Sequence, residues 1–373
     1  SEFTGKEKSL IFSGGFLMNS TLIPTLTGNN LGQRNKVEIF SDKLNHASIN
    51  YGCYLTRQRV YRYNHLDLNH LEYLLKKSDK KTPKFIISET LFSMDGDLAN
   101  VKELREIAKK YDAVLYLDEA HSIGIYGKDG SGCAFGKKYE KEIVVGTFGK
   151  SFGSFGSFVS TSEDYVKKII NFCGGLIYTT ALPPSVYASI HAALKIVPKL
   201  NKERKNLLEN SKFLRTKLNK LNIDTGNTQS HIIPIILKDE KKCLELKKKL
   251  ENKGFFLKII KSPTVLKGTE RIRLSLTSSM KKKSLSDLSI QWEPELNRGR
   301  VALVFFREHE VHEVGVPHFV ARRLAAAVRE WADGHVEYAI HDRTAETVAA
   351  VLQQVFAGQH RIVVKVELPK AAV

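Results

Sequence analysis

Cysteine is scarce in this chain of 373 residues. The four present, Cys53, Cys133, Cys173 and Cys243, lie far apart and form no C-x-x-C pair. That spacing argues against a zinc ribbon or a disulfide scaffold and fits a reducing, cytoplasmic setting. Long apolar runs are lacking too: nothing approaches the roughly 18–20 residues of a membrane-spanning helix, so no membrane partner is expected. No basic start followed by an apolar stretch opens the chain, so no secretory leader is expected. Acidic residues are outnumbered, 40 Asp and Glu against 58 Lys and Arg, leaving a net charge of +18. The lysine runs at 247–249 and 281–283 lack the interleaved aromatics that a nucleic-acid groove needs for stacking, so no nucleic-acid partner is expected. The excess is read as solvated helix faces, or as suited to an anionic substrate such as a coenzyme A ester or an acidic carrier protein.

Lysine nearly vanishes towards the end of the chain. Residues 1–290 hold 39 Lys and 9 Arg, whereas residues 298–373 hold 2 Lys and 8 Arg. The change falls near Trp292-Glu293-Pro294-Glu295, where Pro294 would end a helix. Residues 293–373 are therefore read as a separate segment or fusion with a β-α-β-α-β pattern. Strands are expected over 301–306, 336–341 and 361–367, with helices over 317–333 and 344–356. His309, His312 and His318 fall one residue short of the H-E-x-x-H spacing that puts two imidazoles on one helix face, so no metal site is expected.

What the first part has is alternation. Short apolar runs at 37–41, 85–88, 114–117 and 143–146 read as buried strands, and 101–111 carries Val101, Leu104, Ile107 and Ala108 on one helical face. Such alternation predicts an α/β fold with a mostly parallel central sheet and flanking helices. Each strand is followed by a polar cluster: Asp42 to His46, Glu89 to Ser93, Asp118-Glu119-Ala120-His121, and Thr147-Phe148-Gly149-Lys150. Ligands of open α/β sheets bind at the carboxyl ends of the strands, so four clusters at four ends imply one site.

These residue types suit one cofactor. A lysine amine condenses with an aldehyde to form a Schiff base, which Lys150 can do with pyridoxal phosphate. The ring nitrogen needs an acidic partner, a role open to Asp118, and His121 can bond the ring hydroxyl. Ser13-Gly14-Gly15-Phe16 offers backbone N–H groups to the phosphate, and Thr147 offers a hydroxyl. His46 either stacks on the ring or merely caps a helix. Asp-Glu-Ala-His also spells the acidic box of some helicases, but Val144 stands where a phosphate loop ending in Gly149-Lys150-Ser151 needs glycine. A basic binding module with relic site residues is the alternative from another class.

The order and spacing of Phe12 to Phe16, Asn45-His46-Ala47-Ser48, Glu89 to Asp97, Asp118 to His121, Gly146 to Gly153, Thr180 to Pro184, Ser262 to Val265 and Arg271 to Leu274 resembles the α-oxoamine synthases. These are pyridoxal-phosphate enzymes of fold type I, and the similarity covers roughly residues 1–292. The resemblance implies a large cofactor-binding domain over 1–192, entered part-way because the family's N-terminal arm precedes residue 1. It implies a small α+β domain over 193–292. Within the family it points to condensation of L-alanine with pimeloyl-CoA or a pimeloyl-carrier protein. Glycine C-acetyltransferase, 5-aminolevulinate synthase and serine palmitoyltransferase types are alternatives. It implies Lys150, Asp118 and His46 as catalytic residues, with Gly15, Phe16, His46, Ser93, Asp118, His121, Thr147 and Lys150 holding the cofactor. Thr179 and Thr180 would reach the phosphate of the other subunit in a homodimer, and His46, Thr264 and Arg273 would meet substrate.

Overall fold

The computed structural model describes residues 1–30, 33–34, 36–136 and 138–290. The elements expected over 301–367, Pro294 and the histidines at 309, 312 and 318 lie outside the described residues. The described residues belong to one compact unit.

In chain order the strands of the first half are β1 (Lys8–Phe12), the two-residue β2 (Asn29–Asn30) and β3 (Gln33–Arg34), β4 (Glu38–Asp42), β5 (Arg59–Tyr63), β6 (Lys84–Glu89), β7 (Val114–Asp118), β8 (Glu142–Thr147) and β9 (Ser157–Thr161). Seven of them build a sheet in the order β1-β9-β8-β7-β6-β4-β5. The five strands β5, β4, β6, β7 and β8 pair in parallel, while β9 runs antiparallel to both β8 and β1. The mostly parallel sheet expected from the apolar runs is thus present.

Both faces of the sheet are covered, which is why its strands read as unbroken apolar runs rather than alternating ones. Ile39, Ile87, Tyr116, Ile143 and Val145 face a core shared with Met18, Leu22 and Ile23 of α1 (Gly15–Leu26), Ile49 of α2 (Ala47–Leu55) and Ile169, which lies in a later helix. Their neighbours Phe40, Ile86, Leu115, Leu117 and Val144 face the other way. They meet Leu71 and Leu75 of α3 (Leu68–Lys77), and Val101, Leu104, Ile107 and Ala108 of α4 (Val101–Lys110). The α4 stripe is the one its 3.6-residue period predicts, and the helix stops one residue short of Tyr111. Asn100 caps it reciprocally: its Oδ1 accepts from Glu103 N at 3.2 Å and its Nδ2 donates to Glu103 Oε2 at 2.9 Å.

The chain then runs through α5 (Glu163–Phe172), α6 (Gly174–Ile177), α7 (Pro184–Ile196) and α8 (Asn201–Lys220). Residue 192 falls inside α7. A second, antiparallel sheet follows, ordered β10 (Ile232–Ile236), β12 (Arg271–Ser275), β11 (Lys258–Ile260). Leu207, Leu214 and Leu218 of α8 and Leu246 and Leu250 of α9 (Glu240–Glu251) bury Ile233, Ile235, Ile272 and Leu274. Leu285 and Leu288 of α10 (Lys282–Ile290) join the same core.

The small sheet grips the loop that leaves β6. Arg271 Nη1 meets Asp95 Oδ1 at 2.6 Å, Arg273 Nη1 donates to Ser93 O at 3.0 Å, and Gln229 N donates to Gly96 O at 3.1 Å. Gly96 has φ of 72°, and a Cβ there would lie 2.0 Å from Ile232 O, so only glycine lets the two backbones approach this closely. His65 braces the same loop from the other side. Its Nδ1 and Nε2 each lie 2.9 Å from a carboxylate oxygen, of Asp42 and of Asp97 respectively. Burial lowers its pKa, but the bonds to both carboxylates outweigh that and raise it to about 10, so it is an imidazolium strut.

Glu119, next to Asp118, is fully buried. Its Oε1 accepts from Ala134 N at 2.7 Å and its Oε2 has no partner. Burial raises its pKa from 4.5 to about 8, against the opposing effect of the backbone N–H groups of Ala134 and Cys133. A raised acid favours the fold fully below its unfolded pKa, and that contribution is lost as pH rises towards 8. Glu119→Gln keeps an acceptor without a titrating proton. The variant should lose less stability between pH 6 and pH 8 than the parent, by on the order of a few kcal/mol. Urea midpoints at the two pH values check this, and parallel profiles would mean that Glu119 is ionised throughout.

Candidate active site

The site forms at the carboxyl edge of the parallel strands. The register places Glu89 opposite Asp118 and Asp118 opposite Val145, so the ends of β6, β7 and β8 lie in one row. Asp118 is the last residue of β7 and is buried. Its Oδ1 accepts from Ala120 N at 2.9 Å, and its Oδ2 accepts from Asn19 Nδ2 at 2.9 Å. His121 stands in the turn that follows, and its Nε2 lies 2.7 Å from Lys150 Nζ.

Lys150 sits in the turn between β8 and β9, open to solvent as a residue. Burial of its amine lowers its pKa, while the Asp118 and Glu89 carboxylates raise it and Arg273 lowers it further. His121 is pushed well below the ordinary imidazole value, first by burial and then by Lys150, Arg273, His231 and His46. Glu89 is pushed well above the usual carboxylate range by burial and by Asp118, although His46 N donates to its Oε1 at 2.6 Å and opposes the shift. An amine held below the ordinary lysine value beside an imidazole held well below its own is the setting of a lysine prepared for bond formation.

His46 stands at the start of α2. It caps α2, where its Nδ1 accepts from Ser48 N at 3.2 Å, and it lies within electrostatic reach of Asp118 and Lys150. Burial lowers its pKa. Gly15 and Phe16 form the first turn of α1, whose N–H groups start without intrahelical partners. Nothing lies within 4 Å of where a Cβ would stand on Gly14 or Gly15, so the space before this helix start is open. Thr147 ends β8, its Oγ1 accepting from Gly149 N at 3.1 Å and donating to Gly156 O at 3.0 Å. Ser93 is buried in the loop held by Arg273. The Nε of Arg273 is buried without a partner, as is the Nδ1 of His231, whose pKa burial and Arg273 lower to about 4.

Lys150, Asp118, His121, His46 and Arg273 therefore converge. Thr179 is half-buried and Thr180 and Thr264 are exposed, and among the described residues no hydrogen bond joins their side chains to that group. Three contributors, Asn19, Tyr116 and His231, escaped the motif reading, and Ser48 stood in a motif without a role. Asn19 left one signal, a polar residue inside the apolar Gly15–Leu26 helix.

A condensing amine, a facing carboxylate, an open anion-receiving helix start and an unsatisfied guanidinium fit pyridoxal phosphate with an amino-acid carboxylate beside it. The fold and this donor set define a pyridoxal-phosphate transferase of fold type I. The sequence profile of the aminotransferase class I and II family matches residues 1–288, and the chain belongs to that family, within its α-oxoamine synthases. It is 42% identical over 276 residues to a protein of Magnetococcus marinus that carries the name 8-amino-7-oxononanoate synthase, covering 74% of this chain and 70% of that one. A Geobacillus kaustophilus protein of the same name is 41% identical over 277 residues, with 74% and 70% covered. Among solved structures, serine palmitoyltransferase of Sphingomonas wittichii superposes with a TM-score of 0.73 at 29% identity, covering 80% of this chain and 74% of that one. The 8-amino-7-oxononanoate synthase of Francisella tularensis superposes with a TM-score of 0.69 at 28% identity, covering 80% and 85%. Among the described residues no helix is long and apolar enough to cross a membrane.

Proposed function

We propose that this chain condenses L-alanine with a pimeloyl thioester, releasing carbon dioxide and the free thiol and forming 8-amino-7-oxononanoate. The observation that carries the reading is the meeting of Lys150, His121 and Asp118 at the strand ends with the unpaired Nε of Arg273. Similarity to proteins named for this reaction in two bacteria supports the choice of substrates.

Lys150 holds the cofactor through its amine. The same amine would take the proton from the substrate Cα, because its lowered pKa leaves more of it unprotonated near neutral pH. The bound cofactor supplies an electron sink for the pair left on Cα. Asp118 would pair with the ring nitrogen and favour its protonated form. His121 bonds the ring hydroxyl, and His46 covers a ring face and bonds substrate. Gly15 and Phe16 meet the phosphate with backbone N–H groups, and Ser93 and Thr147 hold the cofactor from the ends of β6 and β8. Arg273 grips the alanine carboxylate as a fork, and Thr264 closes on the acyl part. In a homodimer, Thr179 and Thr180 reach the phosphate in the partner subunit.

The test is a product assay with the full chain and pyridoxal phosphate. L-Alanine with pimeloyl-CoA should yield carbon dioxide and 8-amino-7-oxononanoate in equal amounts. Serine with palmitoyl-CoA, or glycine with acetyl- or succinyl-CoA, should give at least about tenfold lower kcat/KM, a difference of roughly 1.4 kcal/mol. Higher turnover with any of those pairs would replace the substrate assignment. Turnover with none, alongside unchanged cofactor absorbance on adding L-alanine, would indicate a binding module.

A further inference from the structure

Asn19 makes three side-chain hydrogen bonds, and all of them are buried. Its Nδ2 donates to Asp118 Oδ2 at 2.9 Å and to Ser48 Oγ at 3.0 Å, and its Oδ1 accepts from Tyr116 OH at 2.5 Å. The amide cannot be turned over, since that would set Oδ1 against a carboxylate oxygen at 2.9 Å, two acceptors with no proton between them. Both amide hydrogens are therefore committed, one to each neighbour.

The commitment has a directional effect on Ser48. Its Oγ accepts from Asn19 and lies 2.7 Å from His46 Nδ1. Asn19 fills one lone pair of this oxygen and leaves the hydroxyl proton for the imidazole, where the donor-only backbone N–H of Ser48 calls for a lone pair on Nδ1. Ser48 N donates to the same Nδ1 at 3.2 Å. Two donors on Nδ1 require a lone pair there, so the ring's single hydrogen sits on Nε2. Burial lowers the pKa of the ring, in line with that arrangement.

The packing of the two helices holds the relay in place. A Cβ on Gly52 would lie 2.4 Å from Asn19 O, so the absence of a side chain there lets α2 approach α1 beside Asn19. That approach is what brings Ser48 within reach.

We propose that Asn19 is a positioning residue that sets two groups at once. It fixes the Asp118 carboxylate and, through Ser48, it holds His46 as the neutral Nε2–H tautomer. His46 is then a hydrogen-bond donor towards the cleft and not a base, which leaves proton removal to Lys150. The link to catalysis rests on the pyridoxal-phosphate reading, whereas the tautomer is a property of the chain alone.

Nitrogen-15 NMR of histidine-labelled full chain, without cofactor, reads the tautomer directly. The parent should show His46 as Nε2–H with an unprotonated Nδ1. Asn19→Leu, which touches neither ring nitrogen, should shift the Nδ1 and Nε2 resonances towards a tautomer mixture. Ser48→Ala should do the same and Ser48→Thr should restore the parent pattern. Pyridoxal phosphate titrated into Asn19→Leu should bind about tenfold more weakly, the effect of one lost bond to a charged group. A parent ring carrying its hydrogen on Nδ1 would overturn the proposal, as would unchanged His46 resonances in Asn19→Leu. If Asn19→Leu does not fold, unchanged resonances in Ser48→Ala overturn it equally. None of these readings depends on turnover, so a failed substrate assignment leaves this test intact.

Discussion

Lys150→Ala is expected to abolish covalent retention of pyridoxal phosphate and to lower condensation by on the order of 1,000-fold or more, because one side chain supplies both the attachment and the base. Its amine lies 2.7 Å from His121 Nε2 and between the fields of Asp118, Glu89 and Arg273, a setting no other lysine described here shares. Borohydride reduction followed by peptide mass analysis checks the attachment: the label should sit on residue 150 in the parent and be missing from the variant. Because Lys150 is exposed as a residue and, among the described residues, its side chain bonds only to His121, the fold should persist with an unchanged urea midpoint. The lowered pKa of this amine also sets a direction for pH. Activity limited by proton removal should rise with pH and level off below the 10.5 of an ordinary lysine. A label recovered from another lysine, or from Lys150→Ala at parental yield, would end the assignment.

Asp118→Asn should slow exchange of the alanine Cα proton by roughly 100- to 1,000-fold, the usual cost of removing one preorganised electrostatic partner. Both carboxylate oxygens accept hydrogen bonds, from Ala120 N and from Asn19 Nδ2. An amide in that place must turn its NH2 towards one of those two donors, so cofactor binding should also weaken. The two effects separate in measurement. Binding is read from a pyridoxal phosphate titration, and exchange is followed by NMR in deuterium oxide at saturating cofactor. Exchange at the parental rate under saturation would remove Asp118 from the chemistry.

The parts of the fold legible in advance were those where one local period reports burial. Unbroken apolar runs such as Ile86-Ile87 and Val144-Val145 are what a strand covered on both faces requires, and the α4 stripe is what a helix on one face requires. The antiparallel β9 left no such mark, since Ser157–Thr161 is buried like its parallel neighbours and strand direction has no local signature. The candidate site was legible where a polar cluster followed a strand. Asn19 was not, because a single amide inside an apolar helix has the same local appearance whether it bonds nothing or three partners.

Arg273 and Ser93 are 180 residues apart in the chain, and Asn19 and Asp118 are 99 apart. By itself the order of residues determined which chemical groups stand at the strand ends: an amine, a carboxylate, two imidazoles and a Gly-rich helix start. Only the tertiary structure decided the state of each group, with Lys150 depressed, Glu119 neutral and His46 committed to one tautomer. The reason is that pKa and tautomer depend on how many atoms exclude water around a group and which donors face it, and those atoms come from segments that no local pattern connects.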